Sequence, residues 1–274
     1  MTVNCQGKLL DLTVPKVMGI LNVTPDSFFD GGKYPSLPAV LKQVESMLEA
    51  GADCIDIGGY SSKPHAVEVA EAEELQRVVP VVKALRNSFP SAILSVDTFR
   101  SAVAKAALDE GVGMVNDISA GADANMLSVV AGYQVPYILM HMRGTPQTMT
   151  AFTQYENLMQ DLIYYFAEKI QQVKAAGISD YLIDPGFGFA KTSEQNFELL
   201  QHLEQFQVVD APLLAGISRK SMIYKTLNTT PELALNGTTF LHGIALSKGA
   251  KILRVHDIKE AVECVTLFQK LQGL

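Results

Sequence analysis

Eight short apolar runs, rich in Val and Ile, recur along the chain, and each ends in polar groups. The first, Met18-Gly19-Ile20-Leu21-Asn22-Val23, passes into Thr24-Pro25-Asp26-Ser27-Phe28-Phe29-Asp30-Gly31-Gly32. The others are Ile55-Asp56-Ile57-Gly58, Leu94-Ser95-Val96-Asp97, Val115-Asn116-Asp117, Ile138-Leu139-Met140-His141, Leu182-Ile183-Asp184, Leu214-Ala215-Gly216-Ile217-Ser218-Arg219-Lys220 and Ile252-Leu253-Arg254-Val255-His256. None alternates strictly, which is the pattern of parallel strands buried on both faces. Between them apolar residues take helical spacing, as in Leu37, Val40, Leu41, Val44 and Leu48, and in Leu158, Leu162, Phe166, Ile170 and Val173. Thr230-Pro231-Glu232 predicts a helix start, and Asp257-Ile258-Lys259-Glu260 predicts a capping box with Asp as the cap. Ala50-Gly51 and Ala176-Gly177 predict helix ends.

Strand and helix thus alternate throughout, which predicts an α/β fold. Eight such units can close into a (β/α)8 barrel or form an open doubly wound sheet. No Gly-x-Gly-x-x-Gly follows the first strand, so the reading favours the TIM barrel. Its βα loops 1 and 2, from about Val23 to Pro35 and from about Gly59 to Glu71, exceed the usual two to six residues and are expected to be mobile lids. The polar residues at the strand ends would then converge on one face.

Composition narrows the function classes. A length of 274 residues, with 48% hydrophobic and 19% charged and no linker-like run, fits one domain spanning 1–274. Met1-Thr2-Val3-Asn4-Cys5-Gln6-Gly7-Lys8 has no signal or transit character, and no apolar run reaches membrane-spanning length, so a cytoplasmic location is expected. Cys5, Cys54 and Cys264 are far apart and read as free, mostly buried thiols. A net charge of -7 and a pI near 5.3 argue against nucleic acid or an anionic membrane as partner. Positive groups stand instead at strand ends: Lys63, Arg219, Lys220, Arg254 and His256.

Asp97, Asn116 and Asp184 each close a strongly apolar run, and buried carboxylates need donors or a positive partner. Two carboxylates and an amide facing one cavity suit a planar ligand with several N–H donors, such as a pterin or purine edge. For each residue alone a structural role is the alternative, for example Asp184 paired with Lys220. Asp184-Pro185-Gly186-Phe187-Gly188-Phe189 adds a tight turn with an apolar wall. Arg254 and His256, two residues apart at the end of the eighth run, point the same way if the strand continues and suit a pyrophosphate; a surface Arg beside a satisfied His is the alternative. Asn22 and Asp30 offer oxygens to Mg²⁺, which with so few protein ligands would arrive with the substrate.

These residues, together with Asp56-Ile57-Gly58-Gly59, Asp97-Thr98, Met140-His141, Ser218-Arg219-Lys220-Ser221 and Arg254-Val255-His256-Asp257, occur in an order that resembles the dihydropteroate synthase family over nearly the whole chain. The resemblance implies condensation of 6-hydroxymethyl-7,8-dihydropterin pyrophosphate with p-aminobenzoate by a dissociative displacement. It implies that Asp97, Asn116, Asp184 and Lys220 hold the pterin in a pocket lined by Met140, Phe189 and Gly216. It also implies that Asn22 and Asp30 serve Mg²⁺, with Asp30 on the catalytic first loop, and that Asn22, Arg254 and His256 take the pyrophosphate. Ser62, Lys63, Pro64, Phe189 and Ser221 would surround p-aminobenzoate. A homodimer is implied too. For that role the stripes Leu241, Ile244, Leu246 and Val262, Val265, Phe268 are candidates, as they are for the outer core. One segment departs from the family: where Gly-Gly-Glu-Ser-Thr-Arg-Pro-Gly-Ala is usual, this chain has Gly58-Gly59-Tyr60-Ser61-Ser62-Lys63-Pro64-His65-Ala66. Lys63 keeps the charge and loses the planar fork of Arg. Rival readings are a methyltetrahydrofolate-type methyltransferase, a Schiff-base aldolase acting through Lys220, and a pterin binder without turnover.

Overall fold

The computed structural model describes residues 1–24, 36–61 and 68–273. An antiparallel hairpin, β1 (Thr2–Cys5) and β2 (Lys8–Asp11), comes first. The barrel strands follow as β3 (Lys16–Asn22), β4 (Cys54–Gly58), β5 (Ile93–Asp97), β6 (Met114–Asp117), β7 (Tyr137–Met140), β8 (Tyr181–Asp184), β9 (Leu213–Ala215) and β10 (Ala250–Val255). They run parallel in sequence order, and β10 pairs with both β9 and β3, which closes the ring. The eight apolar runs are these eight strands, and closure excludes the open sheet. Around them lie α1 (Leu37–Glu49), α2 (Glu71–Ser88), α3 (Ser101–Asp109), α4 (Met126–Tyr133), α5 (Leu158–Ala175), α6 (Ser193–Gln201), α7 (Ser221–Thr226), α8 (Leu235–Ser247) and α9 (Ile258–Gln272).

The two-residue period of a strand sorts the barrel into layers. Met18, Cys54, Met114, Ile138, Leu182, Leu214 and Ile252 form one inward apolar layer. Two residues further along the same strands stand Ile20, Asp56, Asn116, Met140, Asp184, Gly216 and Arg254. The barrel is therefore dry at its lower level and polar one level higher, at the carboxyl ends. The intervening residues, among them Leu21, Ile55, Val96, Leu139, Ile183 and Leu253, point outward into the core shared with the helices.

The hairpin closes the opposite end. Val3, Cys5, Leu10 and Leu12 join the inward apolar layer, and the Asn4 N–H donates to Asp180 Oδ2 at 2.7 Å. Its strands are only four residues each, with polar residues between the buried ones, so the apolar-run signal passes over them.

Two predicted helix starts are corrected. Pro231–Leu233 is a 3-10 turn without a Thr230 side-chain cap, and α8 begins only at Leu235. The Arg219 guanidinium takes the Pro231 and Glu232 carbonyls at 2.8 and 2.6 Å, which holds that turn apart from the helix. At Asp257 the helix starts as expected but the side chain does not cap it, because Arg219 Nε and Nη2 occupy both carboxylate oxygens at 2.8 and 2.7 Å. The ends of α1 at Ala50 and α5 at Ala176 are as predicted. Leu241, Leu246 and Val265 are buried, with Ile244, Val262 and Phe268 packed against them, so both stripes belong to the outer core. Cys5 and Cys54 are buried, Cys264 is half-buried, and all three are free. The expected lid segments 25–35 and 62–67 lie outside the described residues. Among those described, no helix is long and apolar enough to cross a membrane.

Candidate active site

Arg254 organises the mouth of the barrel. Rising from β10, its Nε donates to Asp56 Oδ2 on β4 and its Nη2 to Asp97 Oδ2 on β5, both at 2.6 Å. Asp56 Oδ2 also accepts from Asn116 Nδ2 on β6 at 2.9 Å. Register places Gly58, Asp97 and Asn116 side by side on adjacent strands, so two of the expected site residues, Asp97 and Asn116, meet in one layer. Burial raises the Asp97 carboxyl above the ordinary carboxylate range, and Arg254 opposes that rise. Burial works against the Arg254 charge, but Asp56 and Asp97 outweigh it and hold the guanidinium ionised.

Asn22 ends β3 opposite Gly58. A Cβ on Gly58 would stand 3.6 Å from both Asn22 Oδ1 and the Asp97 Cβ, ordinary contact distance, which places these two side chains on either side of the glycine.

Across the mouth, Asp184 ends β8 and accepts the Gly186 N–H at 2.8 Å through Oδ1. Gly186 has φ +72, and a Cβ there would lie 2.1 Å from the His141 carbonyl oxygen, so only glycine makes the turn. Lys220 donates from Nζ to the Phe187 carbonyl and lies 4.7 Å from the Phe189 ring centroid. It approaches Asp184 without a direct ion pair: a Cβ on Gly216 would stand 3.5 Å from Asp184 Oδ2 and 3.8 Å from Lys220 Nζ. Burial raises the Asp184 carboxyl, with Lys220 the main opposing charge, and burial lowers Lys220 to about 8. Met140 and Phe189 belong to one buried apolar cluster with Ile118, Met149 and Ala190 beside this turn.

The end of β10 departs from the expected alternation. The strand stops at Val255, and His256 is exposed, with Nδ1 3.0 Å from Ser218 Oγ. Arg254 and His256, two of the three groups expected at the pyrophosphate, therefore sit at different depths: Arg254 is inside against carboxylates, and His256 is at the rim. Ser221 opens α7, directly after Lys220. Asp30, Ser62, Lys63 and Pro64 lie outside the described residues.

Three groups escaped the sequence reading as site residues. Asp56 is fully buried and its Oδ1 has no hydrogen-bond partner among the described residues. Its place inside an apolar run was the available signal. Lys191 is buried with Nζ 3.1 Å from His141 Nδ1, and nothing in its loop sequence marks it. Tyr60, the departure from the family pattern, is buried edge-on to Phe99 with ring centroids 5.1 Å apart and accepts from Gln147 Nε2. Beside it Arg100 pairs with buried Glu74 and donates to the Val69 carbonyl at 2.6 Å. The altered residue is thus part of a fixed wall at the root of the second loop.

Known proteins share this chain's fold and much of its sequence. The profile of the family described as pterin binding enzyme matches residues 18–256. The dihydropteroate synthase of Haemophilus influenzae is 45% identical over 271 residues, which cover 98% of each chain. The Yersinia pestis dihydropteroate synthase, solved with a sulfonamide drug complex, superposes with a TM-score of 0.95 at 44% identity over 100% of both chains. The Xanthomonas albilineans dihydropteroate synthase, solved with 4-aminobenzoic acid, gives 0.93 at 39% identity, covering 100% of this chain and 98% of that one.

Proposed function

The chain belongs to the dihydropteroate synthase family of pterin-binding enzymes, and on that premise we propose how its barrel mouth condenses 6-hydroxymethyl-7,8-dihydropterin pyrophosphate with p-aminobenzoate. The products are 7,8-dihydropteroate, a folate precursor, and pyrophosphate. The observation that carries the reading is the planar Arg254 fork seated between Asp56 and Asp97, beside Asn116. Carboxylates so arranged accept in-plane N–H donors, which is what the amino and ring N–H edge of a pterin offers.

Asp97, Asn116 and Asp184 take that edge, Lys220 donates to a ring acceptor, and Met140, Gly216 and Phe189 line the faces. Breaking the bond from the methylene carbon to the pyrophosphate oxygen leaves a cation delocalised into the ring. The two carboxylates stabilise it as the leaving group departs with the bonding pair. Arg254 exchanges Asp97 for phosphate oxygens when the pterin occupies that carboxylate, and His256 meets the pyrophosphate at the rim. The amino nitrogen of p-aminobenzoate then attacks the methylene carbon and loses a proton. It is already nucleophilic near neutral pH, so exclusion of water matters more than a strong base. Phe189 and Ser221, together with Ser62, Lys63 and Pro64 of the second loop, are assigned to p-aminobenzoate.

No cluster of three His, Cys, Asp or Glu suited to a metal occurs among the described residues. Asn22, with its neutral oxygen, and Asp30, outside the described residues, would hold a Mg²⁺ that arrives with the pyrophosphate. Bound there, Mg²⁺ would neutralise charge on the leaving pyrophosphate.

The test is pyrophosphate release from the pterin pyrophosphate, with and without p-aminobenzoate and Mg²⁺. Release that requires all three supports the reading, and tight binding without release overturns it.

The apolar side chains left exposed on the side of α7 to α9, namely Leu227, Leu233, Phe240, Leu267 and Leu271, are assigned to contact with a second copy of the chain. Light scattering should give twice the mass of 29.8 kDa, and Phe240→Glu with Leu267→Glu should reduce it to one. The three unpaired thiols suit a reducing, cytoplasmic compartment.

A further inference from the structure

Lys191 lies behind the 184–190 turn, outside the set of groups that would touch substrate. Its Nζ is 3.1 Å from three acceptors: the Gly186 carbonyl, the Phe189 carbonyl and His141 Nδ1. An ammonium has three protons, and here each has one acceptor. No carboxylate comes within ion-pair distance of this buried charge among the described residues, so backbone and imidazole dipoles hold it. His141 is itself buried, stacked edge-on to Tyr165 at 4.8 Å between centroids, and burial and Lys191 push its pKa well below the ordinary value. It is therefore a neutral acceptor at Nδ1. Other groups grip the rest of the turn: Lys220 takes the Phe187 carbonyl, Tyr155 Oη donates to the Ala190 carbonyl at 2.9 Å, and Asn196 Oδ1 accepts the Gly188 N–H at 2.7 Å.

We propose that Lys191 is a positioning residue for the condensation: by bridging Gly186, Phe189 and His141 it fixes the turn that presents Phe189 to p-aminobenzoate. The pterin side depends on it less, because Asp97 and Asn116 stand on other strands and are held by Arg254 and Asp56. Positioning by a lone ammonium also makes the turn sensitive to the loss of one proton, since the amine would have two donors for three acceptors. Burial lowers Lys191 to about 7, Asp184 on β8 opposes, and Lys220 before α7 and Arg143 after β7 add to the fall. Tyr155 and Tyr165 face the His141 ring and stay neutral, because burial pushes both phenols up.

The proposal rests on the condensation assigned above, and the experiment separates the two. Wild-type pyrophosphate release tests the reaction, whereas amide hydrogen exchange at residues 187–190 reports on Lys191 with or without turnover. In Lys191→Met those amides should exchange faster, KM for p-aminobenzoate should rise at least about tenfold with a lower kcat, and KM for the pterin substrate should move by less than about threefold. His141→Phe, which removes one acceptor and keeps a ring, should shift the same parameters in the same direction by less. In wild type, KM for p-aminobenzoate should rise with pH along the NMR titration of the Lys191 ε-carbon, and Lys191→Arg should flatten that rise. Three results would overturn the proposal: both KM values rising together, a lowered melting temperature with unchanged kinetics and exchange, or a pH profile that follows the Lys220 signal instead.

Discussion

Asp56 illustrates how one side chain can matter to a site without standing at its rim. It holds Arg254 and Asn116 through a single oxygen, and the other, in a buried layer, has no partner among the described residues. Removing its charge leaves the guanidinium with Asp97 as its remaining carboxylate. Asp56→Asn should lower kcat/KM for the pterin substrate by about 100-fold and stability by about 3 kcal/mol, because a buried guanidinium that loses one of its two carboxylates is poorly compensated. Steady-state kinetics and urea unfolding of the variant check both effects, and a stable variant with unchanged kcat/KM would contradict the assignment. The strand-end acids and amide were legible in the sequence because a polar residue closing an apolar run must have a reason to be there. Asp56 sat in the same kind of run, yet its partner lies 198 residues away, a distance that no local pattern reports. Lys191 was less legible still, since its acceptors are mainly backbone carbonyls, and these carry no residue identity.

Strands and helices were readable wherever one period dominated, and their borders failed where a distant side chain intervened. Arg219 is the cause in both cases, having taken the carboxylate that would cap α9 and the carbonyls ahead of α8. Within α8 the sequence hides a second feature. His242 is buried with Nε2 lacking a hydrogen-bond partner among the described residues, and burial lowers its pKa to about 4, with Asp257 opposing. An unfolded imidazole takes its proton near pH 6.5, so between pH 6.5 and 4 the unfolded chain binds more protons than the folded one. Stability should accordingly fall as pH drops through that window, by up to about 3 kcal/mol from this group. Urea midpoints measured across the window should fall less steeply in His242→Leu than in wild type. Parallel pH profiles would show that the ring is not the source.

At the scale of the whole molecule, the layered barrel separates the groups that bind from the groups that hold the shape. The lower apolar layer and the hairpin contain no residue assigned to substrate. Leu12→Ala should therefore remove about 2 to 5 kcal/mol of stability while leaving both KM values within about twofold, as judged by denaturant unfolding and steady-state kinetics. A large change in either KM would mean that the two ends of the barrel are coupled. The closed barrel itself was legible from eight repeats of one pattern; the plug was not, because two four-residue strands with polar residues between the buried ones leave too little apolar run to stand out.

The hairpin also carries a consequence for how the chain assembles. Its residues leave the ribosome before every barrel strand, yet the cluster that buries Val3 and Cys5 includes Leu214 and Ile252 of β9 and β10, which leave after the other six. Docking cannot be complete until β10 has been synthesised, so the hairpin waits on contacts far along the chain. Cys5, only 2% exposed once docked, makes that moment measurable. Read at Cys5 by peptide mapping, which sets aside the half-buried Cys264, a brief pulse of thiol reagent during refolding would mark the molecules whose ring is still open and spare those that have closed.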